Sequence, residues 1–419
     1  MNIKLIKNFV GAFTGSASVA VINFITIPLL LTGLGINGYG ELSIILTSFL
    51  VTQALTSLQP WQAFIKFWFQ SESNKEKLLT FSLVADVFSC LFGAIIIYFA
   101  LTSPVFSDLF FIVSNQVAFV FSLALLFNQF SFFIGICRVN DKFLFLSFCE
   151  SLRAFIRLLG ALTIINHGDL LTYSLFFMAS NLLVLLFASI TMRHQLLLAI
   201  IGMFRLEKLD FFYFNRFIKF SYLVSLKSIV DLPVQHLDKF LVSSILGNSS
   251  VAIYDIAKRI NQGFGVFINV VNQIYYPVLV KKIEEQGFNT SLNYVVKISV
   301  ILVFFGVGML VTSYVYMDEI YYLYKMVFDL PYSDFKFNFI YTSVFLISSC
   351  FLLIHVFFQA AGFVGKDVFF LTIANIMYLI ICIFGLSAYG VEVIIVAYTL
   401  QIFLVLSFKI FILKKNVNI

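Results

Sequence analysis

The chain has 419 residues, of which 61% are hydrophobic and only 11% charged. Soluble proteins carry about 25% charged residues, and fewer than half that number cannot cover a water-facing surface without large apolar patches, so the composition excludes a soluble enzyme and points to lipid as the solvent. The formal charge of +6 comes from basic residues scattered through loops, with no basic stripe interleaved with aromatics, so no nucleic-acid partner is expected.

Taken from the N-terminus, Lys4 and Lys7 precede an apolar stretch from Phe9 to Leu31. It is too long for a signal-peptide core and lacks a small-residue cleavage pattern, so it is expected to be an uncleaved first span. Apolar runs broken by charge or turn residues then continue to the C-terminus, giving spans at 9–32, 41–60, 78–101, 112–136, 143–165, 170–191, 217–246, 251–279, 294–317, 337–362, 368–386 and 391–413. The runs are continuously apolar, whereas barrel strands are about 10 residues long and alternate strictly. The expected fold class is therefore an all-α polytopic membrane protein of twelve transmembrane helices. Cys90, Cys137, Cys149, Cys350 and Cys382 sit in or beside these runs without ligand spacing and read as small packing residues.

Cytoplasmic loops carry the excess of Lys and Arg. Placing the N-terminus inside puts nineteen basic residues on that side, five of them (Arg193, Arg205, Lys208, Arg216 and Lys219) in the connection after span six, against Lys325 and Lys336 on the other. Both termini are accordingly expected in the cytoplasm. The segment Leu34-Gly35 through Gly40 to Ile44, after span one, is echoed by Leu246-Gly247 through Ala252 to Ile256, after span seven. A second echo pairs Leu58 to Lys66, containing Pro60, with Ile274 to Lys282, containing Pro277. Six crossings separate the copies, which gives them one orientation: two six-helix lobes related by a pseudo-two-fold axis along the membrane normal. The expected divisions are an N-terminal lobe at 1–191, a basic cytoplasmic linker at 192–216 holding a surface helix, and a C-terminal lobe at 217–419.

The segment Leu237-Asp238-Lys239-Phe240-Leu241-Val242 through Leu246-Gly247, with Ala252-Ile253-Tyr254-Asp255-Ile256-Ala257-Lys258-Arg259-Ile260 and Tyr276-Pro277, resembles the second-half signature of polysaccharide flippases. These are the O-antigen and teichoic-type members of the multidrug/oligosaccharidyl-lipid/polysaccharide exporter superfamily. The resemblance implies transport of an undecaprenyl-diphosphate-linked oligosaccharide between the leaflets of a bacterial cytoplasmic (inner) membrane, without a cofactor and coupled to H⁺ or Na⁺. It also implies, as partners, the polymerase and chain-length proteins of a polysaccharide pathway.

Ionisable groups inside spans cost at least about 2.5–3.5 kcal/mol at the bilayer centre and so mark function by default. Span five carries Glu150, Arg153 and Arg157 on one helical stripe. Span seven carries Lys227, Asp231, Asp238 and Lys239, and span eight Asp255, Lys258 and Arg259. On the functional reading, Arg153, Arg157, Lys227, Lys239, Lys258 and Arg259 hold the diphosphate, because guanidinium forks fit phosphate oxygens. On the alternative reading they form internal salt bridges or snorkel to headgroups. Ion coupling needs a carboxylate whose occupancy changes between states, and Asp86, mid-span without a local cation, leads Glu150, Asp231 and Asp255; a hydrogen-bonded carboxyl that only packs is the alternative for Asp86.

Several signals carry less. His236 and His355 lie in spans and His167 and His194 at loop edges, without i,i+4 or thiol partners, and read as packing or hydrogen-bonding groups rather than metal ligands. Gly11 and Gly15 form a GxxxG pattern read as close packing within the chain. Pro28 and Pro233 are expected to bend the first helix of each lobe. No nucleophile–base set, P-loop or dinucleotide glycine pattern is present, so no catalytic residues are expected. Two rivals stay open: an O-antigen polymerase, which calls for a larger outer loop than Asp318–Lys336, and a multidrug cation exporter, which calls for a more acidic passage.

Overall fold

The computed structural model describes residues 3–68, 75–204 and 211–417, apart from the side chains of 3–13, 166–167, 211–213, 223, 227–228, 267–274, 276–277, 281, 284, 364 and 417. Among the described residues every regular element is helical. An unbroken apolar run in lipid must satisfy each backbone N–H and C=O within itself, and a helix does so without neighbours.

All twelve expected spans are helical, and the protein is an all-α polytopic membrane protein. Among the described residues six stretches are long and apolar enough to cross a membrane, and α15 (Tyr332–Cys350) and α16 (Leu352–Ala360) make a further such stretch as a pair bent by 42°. Two of the six, Thr14–Thr56 and Gly365–Asn416, are 43 and 52 residues long. At about 1.5 Å per residue each is at least twice the roughly 30 Å hydrocarbon thickness, and each doubles back at a positive-φ glycine, Gly35 or Gly390. Apart from Asp86, the candidate charges lie on α7 (Phe143–His167), on the run α10 (Phe211–Leu232) to α11 (Asp238–Leu246), and on α12 (Asn248–Gln286).

The chain divides into two compact units, Met1–Leu232 and Pro233–Ile419. The expected boundary at 192–216 counts spans, whereas this one follows packing: α10 stays with the first unit because Phe217 and Phe214 stack on Phe67 and Phe81 at ring distances of 6.3 and 4.9 Å. In the first unit α1 (Ile3–Thr56) runs parallel to α7. Gly15 lies against Ser147 and Gly33 against Ile164 so closely that an added Cβ would come within 2.2 and 2.4 Å. The GxxxG pattern thus includes a close helix contact within the chain. Within 192–216 the described residues form α9 (Arg193–Phe204), packed on α3 (Lys75–Thr102) where the Thr80 hydroxyl donates to Ala199 O at 3.3 Å.

In the second unit α11 and α12 form a hairpin at Gly247. Its backbone angles (φ 86°, ψ 174°) nearly repeat those of Gly35 (φ 70°, ψ 172°), a conformation open to glycine and strained for other residues. The first sequence echo is therefore a shared turn. The second echo diverges: α1 ends at Thr56 and α2 (Pro60–Trp68) starts at its proline, while α12 continues through Pro277. Pro233, expected to bend its helix, opens a π-helical turn, Pro233–Leu237, between α10 and α11. Proline brings no N–H to the helical ladder, so the carbonyl one turn before it loses its usual donor.

Candidate functional site

The first unit holds its charged stripe on α7. Arg153 Nη1 donates to both Glu150 oxygens at 2.9 and 3.0 Å, and the guanidinium lies 5.2 Å from the Phe130 ring centre. Glu150 is 44% exposed and Arg153 12%. Arg153 Nε is buried without a hydrogen-bond acceptor, an arrangement that costs about 1–3 kcal/mol for a typical polar group. One turn on, Arg157 donates from Nε to Ser180 Oγ at 3.2 Å and from Nη2 to Asn181 Oδ1 at 3.3 Å, and its guanidinium covers the Phe177 ring at 4.0 Å. Asn181 Nδ2 in turn donates to Ala124 O at 3.0 Å, which fixes its oxygen toward the arginine. These partners orient Arg157, and a guanidinium can fork onto phosphate oxygens.

Asp86, on α3, is buried, and its Oδ2 accepts the backbone N–H of Phe132 at 2.9 Å. Phe132 is in the first turn of α6 (Ser131–Val139), which restarts the fourth span after a break following α5 (Asn115–Leu126), and the residue before α6 offers no side-chain cap. Asp86 therefore caps α6 from another helix, where the positive end of the helix dipole favours a carboxylate. Asp231 lies half-buried near the end of α10, and the side chain of Lys227 lies outside the described residues.

The second unit cross-pairs the remaining candidates. Lys258 Nζ reaches both Asp238 oxygens at 2.7 Å and also donates to Val234 O at 2.9 Å and Gln235 O at 3.0 Å, two carbonyls of the π-helical turn. Asp255 is bracketed by Lys239 and by Arg259, whose Nε donates to it at 2.6 Å. Asp238 also accepts from the Tyr254 and Tyr378 hydroxyls, and Tyr341 stacks edge-on to Tyr254. Asp238, Lys239, Asp255 and Lys258 are all buried. These side chains take the internal salt-bridge arrangement, with the lysine ammonium also donating to two carbonyls of the π-helical turn. The three tyrosines, spread over α12, α15 and α17 (Val364–Tyr389), were not readable from sequence, because their meeting depends on helix packing.

A separate group was also missed. Lys409, on α18 (Val393–Val417) and counted above among the inner-side loop cations, is buried and pairs with Asp367 on α17 at 2.6 Å. It stands 2.6 Å from His355 Nδ1 on α16, so the hydrogen-bonding reading of His355 holds. Both charges lie at span ends, where sequence alone assigns them to headgroups.

No family model and no curated protein matches the sequence. Solved structures do match along nearly its whole length. A lipid II flippase, MurJ, in an inward closed conformation superposes with TM-score 0.72 at 16% identity, covering 97% of this chain and 87% of that one. An inward-facing multidrug resistance MATE family transporter of the MOP superfamily gives 0.66 at 13%, covering 99% and 96%. A MOP superfamily transporter from Pyrococcus furiosus, described as having a binding pocket of reversed polarity, gives 0.65 at 12%, covering 97% and 96%. At these identities the likeness establishes the fold: the chain has the all-helical fold of this transporter superfamily.

Proposed function

We propose that this chain is a flippase that carries a polyprenyl-diphosphate-linked oligosaccharide, of the O-antigen repeat-unit class, across a bacterial inner membrane. The observation that carries the reading is the likeness in fold, over almost the entire chain, to a flippase of a lipid-linked precursor. A sugar and a diphosphate cannot cross hydrocarbon unaided, so the transporter must offer cations inside the bilayer. In the first unit Arg153 and Arg157 meet that requirement, the former with a buried donor lacking an acceptor and the latter held by Ser180 and Asn181. Lys239, Lys258 and Arg259 contribute only in a state where they exchange Asp238 and Asp255 for phosphate, and Lys227 is assigned the same role from sequence. The two lobes at 1–191 and 217–419, with both termini in the cytoplasm, rock in alternating access driven by H⁺ or Na⁺, with Glu150, Asp231 or Asp255 as coupling carboxylates and Asp86 as the more structural of the four. Polysaccharide polymerase and chain-length proteins would act on the product outside.

The likeness to MATE transporters supports a second reading, a multidrug exporter. Reconstitution separates the two. Proteoliposomes containing a fluorescent polyprenyl-diphosphate disaccharide should show its movement between leaflets, read by quenching from outside, and no pumping of ethidium. Ethidium transport without lipid movement transfers the assignment to the exporter.

A further inference from the structure

The group around Lys409 lies apart from the charges discussed above, within two turns of the α18 end that carries Lys414 and Lys415. The Lys409 ammonium touches Asp367 Oδ1 and His355 Nδ1, each at 2.6 Å, and Gln359 Nε2 donates to Asp367 Oδ2 at 3.4 Å. An ammonium has three N–H donors and no lone pair, so Nδ1 is the acceptor and the imidazole is neutral here, with its proton on Nε2. The surroundings are apolar: the Phe358 ring centre is 5.4 Å from Lys409 Nζ, and Phe357, Phe370, Phe408 and Ile412 belong to the same core.

The charged groups acting on His355 are Lys409 from α18 and Asp367 from α17. Among the described side chains, α12 and α13 (Phe288–Val315) bring Tyr275 and Tyr294 to this core, and Lys282 is held over the Tyr294 ring at 3.2 Å. From α15 comes Cys350, whose thiol donates to Leu346 O, and Lys366 lies over the Phe363 ring at 5.1 Å. A Lys–Asp pair satisfies itself without an imidazole. The one set against it is a base whose other protonation state repels the ammonium it now accepts from.

We infer that His355, Asp367 and Lys409 form a proton-binding site, in which protonated His355 replaces the Lys409 ammonium on Asp367. The proton comes from solvent and bonds to the Nδ1 lone pair; Lys409 keeps its three protons, and the net charge of the group rises from zero to plus one. The imidazolium then donates to Asp367, and Lys409 moves toward the nearby end of α18. His355 rides on α16, the second limb of the pair bent by 42°, so protonation breaks the Lys409 ties from α18 to α16 and α17 and strengthens the tie between α16 and α17 that Gln359 already makes. This supplies the H⁺ coupling of the transport proposed above and rests on that reading.

The test uses the full chain in lipid nanodiscs with ¹⁵N-histidine, the His355 signals being assigned by their loss in His355→Gln. His355 should pass from a neutral Nδ1 acceptor to imidazolium on acidification, while the chain stays folded. Lys409→Met should raise its proton affinity about tenfold or more, one pH unit, and Asp367→Asn should lower it. An imidazole that stays neutral down to the pH at which the chain unfolds, or whose titration ignores both substitutions, overturns the proposal. In proteoliposomes His355→Gln, whose amide oxygen still accepts from Lys409, should flip the fluorescent lipid without a gradient but lose its acceleration by a pH gradient; retained acceleration also overturns it. A wild-type chain that moves no lipid sinks the flippase reading, while the titration still decides the proton site.

Discussion

The two units treat buried cations differently. In the second, Lys258 and Lys239 each meet a buried carboxylate, and tyrosine hydroxyls and π-turn carbonyls complete the network. In the first, Arg153 shares a half-exposed Glu150 and keeps an unmatched Nε, and Arg157 rests on a serine, an asparagine and a phenylalanine ring. Cations locked against buried carboxylates serve to hold helices together, because breaking such a pair strands a charge in low dielectric. The buried Arg153 Nε, which has no acceptor, is a donor that an anion can take. On the proposed function, the second network holds helices together and the first offers its arginines to phosphate.

The sharpest way to break that comparison is Lys258→Met. It leaves Asp238 buried with only tyrosine partners and removes two hydrogen bonds to the π-helical turn, so stability should fall by about 3–5 kcal/mol. Adding Asp238→Leu should restore much of the loss in a thermal melt of the purified protein. Equal losses in Arg157→Gln would erase the distinction between the units.

Next in size is Gly33→Val, which forces a branched side chain into Ile164 and its backbone. Overpacking of this kind costs about 1–3 kcal/mol, seen as a lower melting temperature, whereas the same change at Gly263, where nothing lies within 4 Å, should cost only helix propensity. Asp86→Ala should lose the α6 cap, about 1 kcal/mol, with Asp86→Asn costing less because its amide oxygen still accepts the Phe132 N–H. Ion dependence of transport should be unchanged in Asp86→Asn; a changed dependence would move Asp86 from capping to coupling. The smallest effect belongs to Glu150→Gln, below about 1 kcal/mol for so exposed a pair, with lipid flipping preserved or faster because Arg153 then keeps its full charge for the substrate.

Sequence displayed those features that depend on local periodicity. The twelve spans, the α7 stripe of Glu150, Arg153 and Arg157, and the shared turn at Gly35 and Gly247 follow from apolar runs, i+3 and i+4 spacing and a glycine-marked break. What it hid depends on which helices meet. Asp86 looks isolated until a break before Ser131 brings an uncapped helix start beside it. Lys258 has Asp255 three residues away and yet pairs with Asp238 on α11, since the Gly247 hairpin folds that carboxylate against it. Lys409 and Asp367 each stand near a span end and read as interfacial; only the α17–α18 hairpin makes them a buried pair.

The most direct measurement is leaflet exchange of the fluorescent polyprenyl-diphosphate disaccharide by Arg153→Gln/Arg157→Gln, beside Lys239→Gln/Asp255→Asn and wild type, each first shown to be folded by its melting curve. Loss of exchange in the arginine pair, with its fold intact, and substantial exchange in the lysine–aspartate pair is the predicted pattern. Wild-type exchange by the arginine pair would contradict the account.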